Sequence, residues 1–257
     1  MLLFYVILFL KRLLIANCEI INEFIFKKPG LILLKNASHS ADGVTTVNYT
    51  EFLDEQKFTS AYIENTRESF KDQTNSKYAK TKWRAHIVAW AFNQAKFLEG
   101  DLIEFGVYYG SLVGTACTYH DFQNWDKTLF LVDSWGENSD YLASNRYSVD
   151  IFEKVKLKFA KFQNVTLVRG KVPEVLKKIT SEKISFISLD MNDGLPERLV
   201  LEALWDKMVP GAIVYLDDYC DPTHSNLRKN INDFFDDKNE SILCFHNSCA
   251  IVVKSQS

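Results

Sequence analysis

The sequence predicts an α/β fold built on an open, mostly parallel β-sheet. Its 257 residues are enough for one such domain with an N-terminal extension. Between residues 100 and 235, short apolar runs of β-prone residues alternate with helix-like segments, and several of these runs end in aspartate. Alternation of this kind favours parallel strands joined by helices, and ligands bind such sheets beyond the carboxyl ends of the strands.

The first strand–turn–helix unit, EGDLIEFGVYYGS, carries the first candidate site. Glu104 lies in the predicted strand, Gly106 and Gly110 flank a tight turn, and Ser111 opens the helix. A second apolar run, TLFLV, follows about twenty residues later and ends at Asp133. A carboxylate at that position can accept hydrogen bonds from both ribose hydroxyls. We therefore expect these five residues to bind a ligand that contains a nucleoside.

The turn indicates which nucleoside is bound. Nicotinamide and flavin sites favour G-x-G-x-x-G, in which a helix N-terminus faces a pyrophosphate. Here the middle glycine is missing, and Tyr108 and Tyr109 fill the turn. A bulky turn behind a carboxylate fits a cationic ligand without phosphates better, and S-adenosylmethionine is such a ligand. A dehydrogenase is therefore the less favoured interpretation.

The later runs NVTLVRG, ISFISLD and AIVYLDD predict three more strands, the last two ending at Asp190 and at Asp217 and Asp218. The segment VPEVLKKIT predicts a helix, and Pro210-Gly211 predicts a turn. Two short runs at the C-terminus, SILCFH and CAIVVK, predict an antiparallel hairpin. Five β/α units followed by a hairpin give the seven-stranded layout of class I methyltransferases, a Rossmann-like fold.

Three regions are predicted. Residues 1–49 form an N-terminal extension of uncertain structure, residues 50–99 a helical cap, and residues 100–257 the S-adenosylmethionine-binding domain. The apolar segment 1–16 is too short to span a bilayer. A surface anchor, a docking helix and a start codon placed too far upstream all stay open, and membrane contact is not favoured because short apolar runs are more often buried.

Within the cap, Trp83, Ile87 and Trp90 repeat at helical spacing, which predicts a long helix with a buried apolar face. Its polar residues Arg84 and His86 are interpreted as surface or packing groups outside the functional site. The spacing of Trp83, Ile87 and Trp90 is typical of a helix that packs against the sheet.

The bulk composition excludes several classes of protein. A net charge of −3 gives no electrostatic case for a nucleic-acid partner. The five cysteines form no C-x-x-C pair, which argues against a disulfide framework or a zinc site. Without a targeting signal the default location is the cytoplasm, with a peripheral membrane location left open, and a homo-oligomer is compatible with the sequence.

Five segments between residues 80 and 254 carry a resemblance to a known family: WRAHIVAWAFNQAKFLEGDLIEFGVYYGS, LVDSW, VRGKVPEVL, SLDMN-x-x-x-PE and ALWDKMVPGAIVYLDDY. In this order they resemble the macrocin O-methyltransferase (TylF-like) group. The resemblance implies methyl transfer from S-adenosylmethionine to a hydroxyl, commonly on a sugar, with a divalent metal, usually Mg²⁺. By position it places Lys171 and Val172 near the adenine and assigns the metal to Asp190, Asp217 and Asp218.

The expected reaction is an in-line displacement in which the acceptor hydroxyl loses a proton. Asp190 is predicted to serve as base, metal ligand or both, and His224 is a second base candidate. The family tends to have Asp-Gly-Asp where this chain has Asp190-Met191-Asn192, so one expected carboxylate is an amide here. Two alternatives stay open. One is a catechol- or phenol-type O-methyltransferase, and the other is a non-catalytic protein that binds the cofactor.

Overall fold

A computed structural model of the chain describes residues 37–71, 81–136 and 151–256. These residues fall into two compact units, the first with residues 37–40 and 45–50 and the second with residues 41–44 and 51–256. The short strands β1 (His39–Ala41) and β2 (Val44–Thr46) form a two-stranded sheet. The predicted segment 1–16 lies outside the described residues.

The second unit is built on a seven-stranded sheet with the order β5-β4-β3-β6-β7-β9-β8. Its strands are β3 (Asp101–Phe105), β4 (Leu129–Asp133), β5 (Val165–Arg169), β6 (Ile184–Leu189), β7 (Met208–Leu216), β8 (Ile242–Cys244) and β9 (Ala250–Val253). The strands β3 to β7 pair in parallel, and β9 pairs antiparallel with both β7 and β8. The predicted parallel sheet with a terminal hairpin is therefore confirmed.

Helices cover both faces of this sheet. They are α1 (Gln56–Lys71), α2 (Lys82–Ala95), α3 (Ser111–Tyr119), α4 (Ile151–Phe159), α5 (Gly194–Leu204) and α6 (Ser225–Phe235). Successive residues of β3 point to opposite faces, so Leu102 packs in the apolar cluster with α1 to α4, and Ile103 packs in the cluster with α5 and α6. Strands buried on both faces explain the continuous apolar runs in the sequence.

Three local predictions are wrong. Pro210-Gly211 does not form a separate turn, because β7 runs through both residues and the Gly211 amide donates to the Lys254 carbonyl at 2.8 Å. The segment after Pro173 is a short 3-10 helix, Glu174–Lys178, rather than an α-helix. Trp90 is 46% exposed, so it lies outside the core that Ile87 enters.

The helices of the predicted cap are present as α1 and α2. The boundaries at residues 49 and 99 remain predictions. Across the described ranges, we find no helix with the length and apolar character needed to cross a membrane.

Candidate functional site

The carboxyl ends of four neighbouring strands bring the predicted acidic residues to one edge of the sheet. Phe105 at the end of β3 is in register with Val132 of β4 and Leu189 of β6, and Leu189 is in register with Leu216 of β7. The carboxylates that follow or precede these positions by one or two residues therefore share this edge. They are Glu104, Asp133, Asp190, Asp217 and Asp218.

Asp133 fixes the two loops beside it. Its Oδ2 accepts a hydrogen bond from the Tyr108 amide and its Oδ1 accepts one from the Trp135 amide, both at 2.8 Å. The Trp135 indole also donates to the Tyr108 carbonyl at 3.0 Å. Burial raises the pKa of Asp133, while the two amides act in the opposite direction. A carboxylate oxygen can accept two hydrogen bonds, so Oδ2 retains capacity for a ligand hydroxyl, whereas Oδ1 also accepts a long hydrogen bond of 3.5 Å from the Ser134 hydroxyl.

Glu104 offers a buried acceptor. The residue is 4% exposed, and its Oε2 has no hydrogen-bond partner among the described residues. Burial raises its pKa well above the usual value, the nearby Lys158 opposes this, and Asp133 adds to it. An unpaired buried carboxylate oxygen is costly, so a ligand donor at this position would be stabilising. The observation fits a cationic ligand such as the ammonium group of S-adenosylmethionine.

The two glycines are required by packing within the protein. Gly106 has φ of +86°, and a Cβ there would lie 2.0 Å from the carbonyl oxygen of Asp190. Gly110 has φ of +60°, and its Cβ would lie 2.7 Å from the ring of Phe159. The structure explains both glycines by the close approach of the β3–α3 turn to a neighbouring loop and to α4. Their predicted place in the ligand site stays a prediction.

We expect Gly106→Ala to destabilise the protein by about 3 to 5 kcal/mol, the sum of an unfavourable left-handed backbone and a steric clash. Gly211→Ala is the matched control, because Gly211 has φ of +83° but faces only the flexible Leu98 side chain at 3.4 Å. Its expected cost is about 1 to 2 kcal/mol. Urea unfolding measures the stability of both variants. Equal losses of stability would show that the clash between the new Cβ and the Asp190 carbonyl contributes nothing.

Lys158 supports the same turn, and the sequence analysis did not identify it. Its Nζ donates to the carbonyls of Tyr109 at 2.8 Å and Gly110 at 3.1 Å, and also to that of Asn65 at 2.6 Å. Burial lowers its pKa to about 7, while Glu104 raises it. The lysine was missed because a lysine near the end of an amphipathic helix is usually solvated.

Of the other predicted cofactor residues, one begins the helix after this turn and two lie in the loop after β5. Ser111 donates from its hydroxyl to the Ser69 hydroxyl at 3.1 Å, so it contacts α1. Lys171 is exposed and Val172 is half-buried, and both follow β5. The Gly170 amide donates to the Asp133 carbonyl at 3.0 Å, which brings the start of this loop beside Asp133. The predicted contacts with a cofactor stay predictions.

Arg84 binds the acidic residues that follow β7. Its Nη1 donates to Asp217 Oδ2 at 2.7 Å and to Asp218 Oδ1 at 2.9 Å, and its Nε donates to Asp42 Oδ2 at 2.8 Å. The Tyr215 hydroxyl donates to the other oxygen of Asp217 at 2.7 Å. Burial would lower the pKa of Arg84, but Asp217 and the other acidic partners raise it. The side chain is 12% exposed. Arg84 therefore belongs to the site, and its interpretation as a surface or packing group is wrong.

This ion-pair network changes the interpretation of the predicted metal ligands Asp190, Asp217 and Asp218. In the described ranges, no three or more His, Cys, Asp or Glu side chains are arranged to hold a metal ion. Arg84 and Tyr215 donate to both oxygens of Asp217, and a dication bound to these oxygens would lie beside the positively charged guanidinium of Arg84. The arrangement does not fit the three-carboxylate magnesium site that the resemblance implies.

The two candidate bases differ in their surroundings. Asp190 is half-buried, and burial together with repulsion from Asp217 and Asp218 raises its pKa well above the usual value. His224 ends the 3-10 helix Pro222–His224, with its Nδ1 3.9 Å from Asp221 Oδ1. The ring of His86 packs against the rings of Phe52 and Phe58, and its assignment outside the site stays a prediction.

Glu197 positions the loop that follows Asp190, and sequence reasoning missed this role. It is fully buried in α5, and its Oε1 accepts a hydrogen bond from the Met191 amide at 3.0 Å. Burial raises its pKa to about 8. The sequence did offer one signal for Glu197, because it is the glutamate of the Pro-Glu pair in the family-like segment SLDMN-x-x-x-PE.

We expect Glu197→Gln to flatten the pH dependence of stability. The pKa of Glu197 is about 8 in the folded protein, against 4.5 for a solvated glutamate as in the unfolded chain, so the folded state binds more protons between these limits. Its contribution to stability is therefore present at pH 4.5 and is lost as the pH rises to 8. The urea midpoint of the variant should match the wild type near pH 5 and exceed it at pH 8.5. An identical fall in both proteins would contradict this assignment.

The family model and the solved structures that resemble this chain are of methyltransferases. Residues 103–219 match the family model described as a methyltransferase domain. The structure is similar to the O-methyltransferase NovP, with a TM-score of 0.55 and 18% identity over 67% of this chain and 80% of that chain. It is also similar to CalS11, a TDP-rhamnose 3'-O-methyltransferase in calicheamicin biosynthesis, with a TM-score of 0.51 and 16% identity over 78% of this chain and 95% of that chain.

A third similar structure is the O-methyltransferase TomG from Streptomyces achromogenes, solved with S-adenosylmethionine. It has a TM-score of 0.52 and 11% identity over 79% of this chain and 91% of that chain. No curated protein matches the sequence. The similar structures establish the Rossmann-like methyltransferase fold, and the segment that matches the methyltransferase-domain model, residues 103–219, lies within it.

Proposed function

We propose that this protein is an S-adenosylmethionine-dependent O-methyltransferase whose acceptor is a sugar hydroxyl. The observation that carries the proposal is the edge of the sheet where Asp133 is held by two backbone amides and the Oε2 of Glu104 is buried without a partner. This edge belongs to the segment that matches a methyltransferase domain.

Four of the predicted cofactor residues have a specific role in the proposal. Asp133 accepts hydrogen bonds from the ribose hydroxyls, and Glu104 pairs with the ammonium group. Lys171 and Val172 lie beside the adenine, as the resemblance implies. When bound, S-adenosylmethionine supplies an electrophilic methyl group on a sulfonium sulfur.

Asp190 is the proposed base. Burial and the neighbouring Asp217 and Asp218 carboxylates raise its pKa, which makes its carboxylate a stronger proton acceptor. It would accept the proton of the acceptor hydroxyl as an oxygen–methyl bond replaces the sulfur–methyl bond. His224 remains the second candidate for this role.

The acceptor class rests on two observations. One similar structure is a TDP-rhamnose 3'-O-methyltransferase. A catechol-type enzyme would use a metal to bind two adjacent oxygens, and the pairing of Arg84 with Asp217 and Asp218 disfavours that arrangement. For the same reason the proposal leaves out the magnesium ion. The acceptor is a small molecule or a glycan, and the cytoplasmic location stays a prediction.

Transfer of a labelled methyl group tests the proposal. The purified chain would be incubated with methyl-labelled S-adenosylmethionine and with TDP-rhamnose, other nucleotide-linked deoxysugars, or catechol. We expect label in a sugar product and none in catechol. Asp190→Asn should keep its affinity for S-adenosylhomocysteine and lose transfer.

Other outcomes separate the alternatives. Label in catechol alone would favour the phenol-type enzyme, and cofactor binding without transfer to any acceptor would favour the non-catalytic binding protein that Asn192 suggests. If neither S-adenosylmethionine nor S-adenosylhomocysteine binds, the methyltransferase proposal is contradicted.

A further inference from the structure

We propose that the guanidinium of Arg84 is the permanent cation of the acidic site after β7 and excludes a divalent metal from Asp217 and Asp218. The inference deepens the proposed function, on which its catalytic meaning rests: methyl transfer at this site would proceed without magnesium. Whether a metal binds Asp217 and Asp218 can be tested without the cofactor.

The contacts of Arg84 carry the first step. One nitrogen, Nη1, donates to both Asp217 and Asp218, so it lies between the two carboxylates that the resemblance assigns to the metal. A hydrogen bond between charged groups is among the stronger contacts in proteins. A dication bound to the same oxygens would lie beside a guanidinium that cannot lose its proton.

The second step concerns the oxygens that remain. Magnesium requires near-octahedral oxygen ligands directed at one point. Asp217 has donors on both oxygens, from Arg84 and Tyr215. Asn192, where the family tends to have a carboxylate, carries no charge. With Arg84 in place, the described residues provide no three-ligand group for a metal.

The third step is that Arg84 is held in place from two sides. It lies in the first turn of α2, whose neighbours Ala85 and Val88 are fully buried. Its Nε donates to Asp42, and both side chains of that pair are at most 12% exposed. A side chain fixed by helix packing and a second carboxylate loses little further entropy in binding Asp217. Displacing it for a metal would leave Asp42 buried without this cation.

Binding of Mn²⁺ tests the inference without any assay of activity. Titration of the full-length chain, followed by calorimetry and by the electron paramagnetic resonance signal of free Mn²⁺, should show no saturable site at millimolar metal. Arg84→Met should gain a saturable site, because the variant removes the cation and keeps an apolar stem. Arg84→Lys is the matched control, and it should bind no metal because it retains a positive charge.

Two results would overturn the inference. One is saturable Mn²⁺ binding by the wild type that Asp217→Asn abolishes. The other is a folded Arg84→Met variant that still binds no Mn²⁺. The wild-type titration decides the question even where Arg84→Met does not fold.

The same wild-type sample would be titrated with S-adenosylhomocysteine. Failure of that titration would count against the proposed function alone, and Mn²⁺ binding at Asp217 would count against this inference alone.

Discussion

Asp133→Asn should weaken the binding of S-adenosylmethionine and S-adenosylhomocysteine about 100-fold, because it removes charge-assisted hydrogen bonds to the ribose. The substitution has a second effect inside the protein. Both Asp133 oxygens accept from backbone amides, of Tyr108 and Trp135. The amide nitrogen of asparagine cannot accept, so one amide would face a donor. Calorimetric titration measures the affinity.

Asp126→Asn is the matched control for this prediction. Asp126 is exposed and precedes β4, at the edge of the sheet opposite Asp133. It should bind both ligands as the wild type does. A folded Asp133→Asn variant with the same affinity as Asp126→Asn would remove Asp133 from the ribose site. Near-ultraviolet circular dichroism at the titration temperature establishes that each variant is folded.

Arg84→Met should lower the free energy of unfolding by about 3 to 5 kcal/mol, because removing one partner of a buried ion pair leaves the other charges uncompensated. Asp42 and Asp217 are both nearly buried and both lose a cation in this variant. For a chain of this size, each kcal/mol lowers Tm by about 2 to 4 °C. Differential scanning calorimetry at pH 7 should therefore show a fall in Tm of roughly 6 to 20 °C.

Arg198→Met supplies the comparison. Arg198 pairs with Glu202 at 2.7 Å, but its side chain is 35% exposed and screened by solvent, so its removal should cost much less than that of Arg84. Adding Asp217→Asn to Arg84→Met should restore part of the lost stability, since one uncompensated carboxylate is then absent. Equal losses from Arg84→Met and Arg198→Met would contradict the assigned role of the buried pairs.

The sequence was sufficient for the fold and for the edge of the sheet that holds the site. Apolar runs that alternate with helix-like segments predicted a mostly parallel sheet, and the structure confirms the parallel pairing and the terminal hairpin. Aspartates at the ends of parallel strands had to meet at one edge, because parallel strands end on the same side. Patterns that are repeated within one element can be recognised from the sequence because they reflect local geometry.

Only the tertiary structure decided what neutralises the acidic residues. Arg84 is separated from Asp217 by 133 positions in the sequence, and from Asp42 by 42. On its helix it looks like any polar residue beside an apolar face. Lys158 and Glu197 were missed in the same way, because a charged side chain on a helix gives no local sign that it will be buried. The physical reason is that an ion pair or a buried lysine depends on how three distant elements pack, whereas periodicity records only the preference of one element.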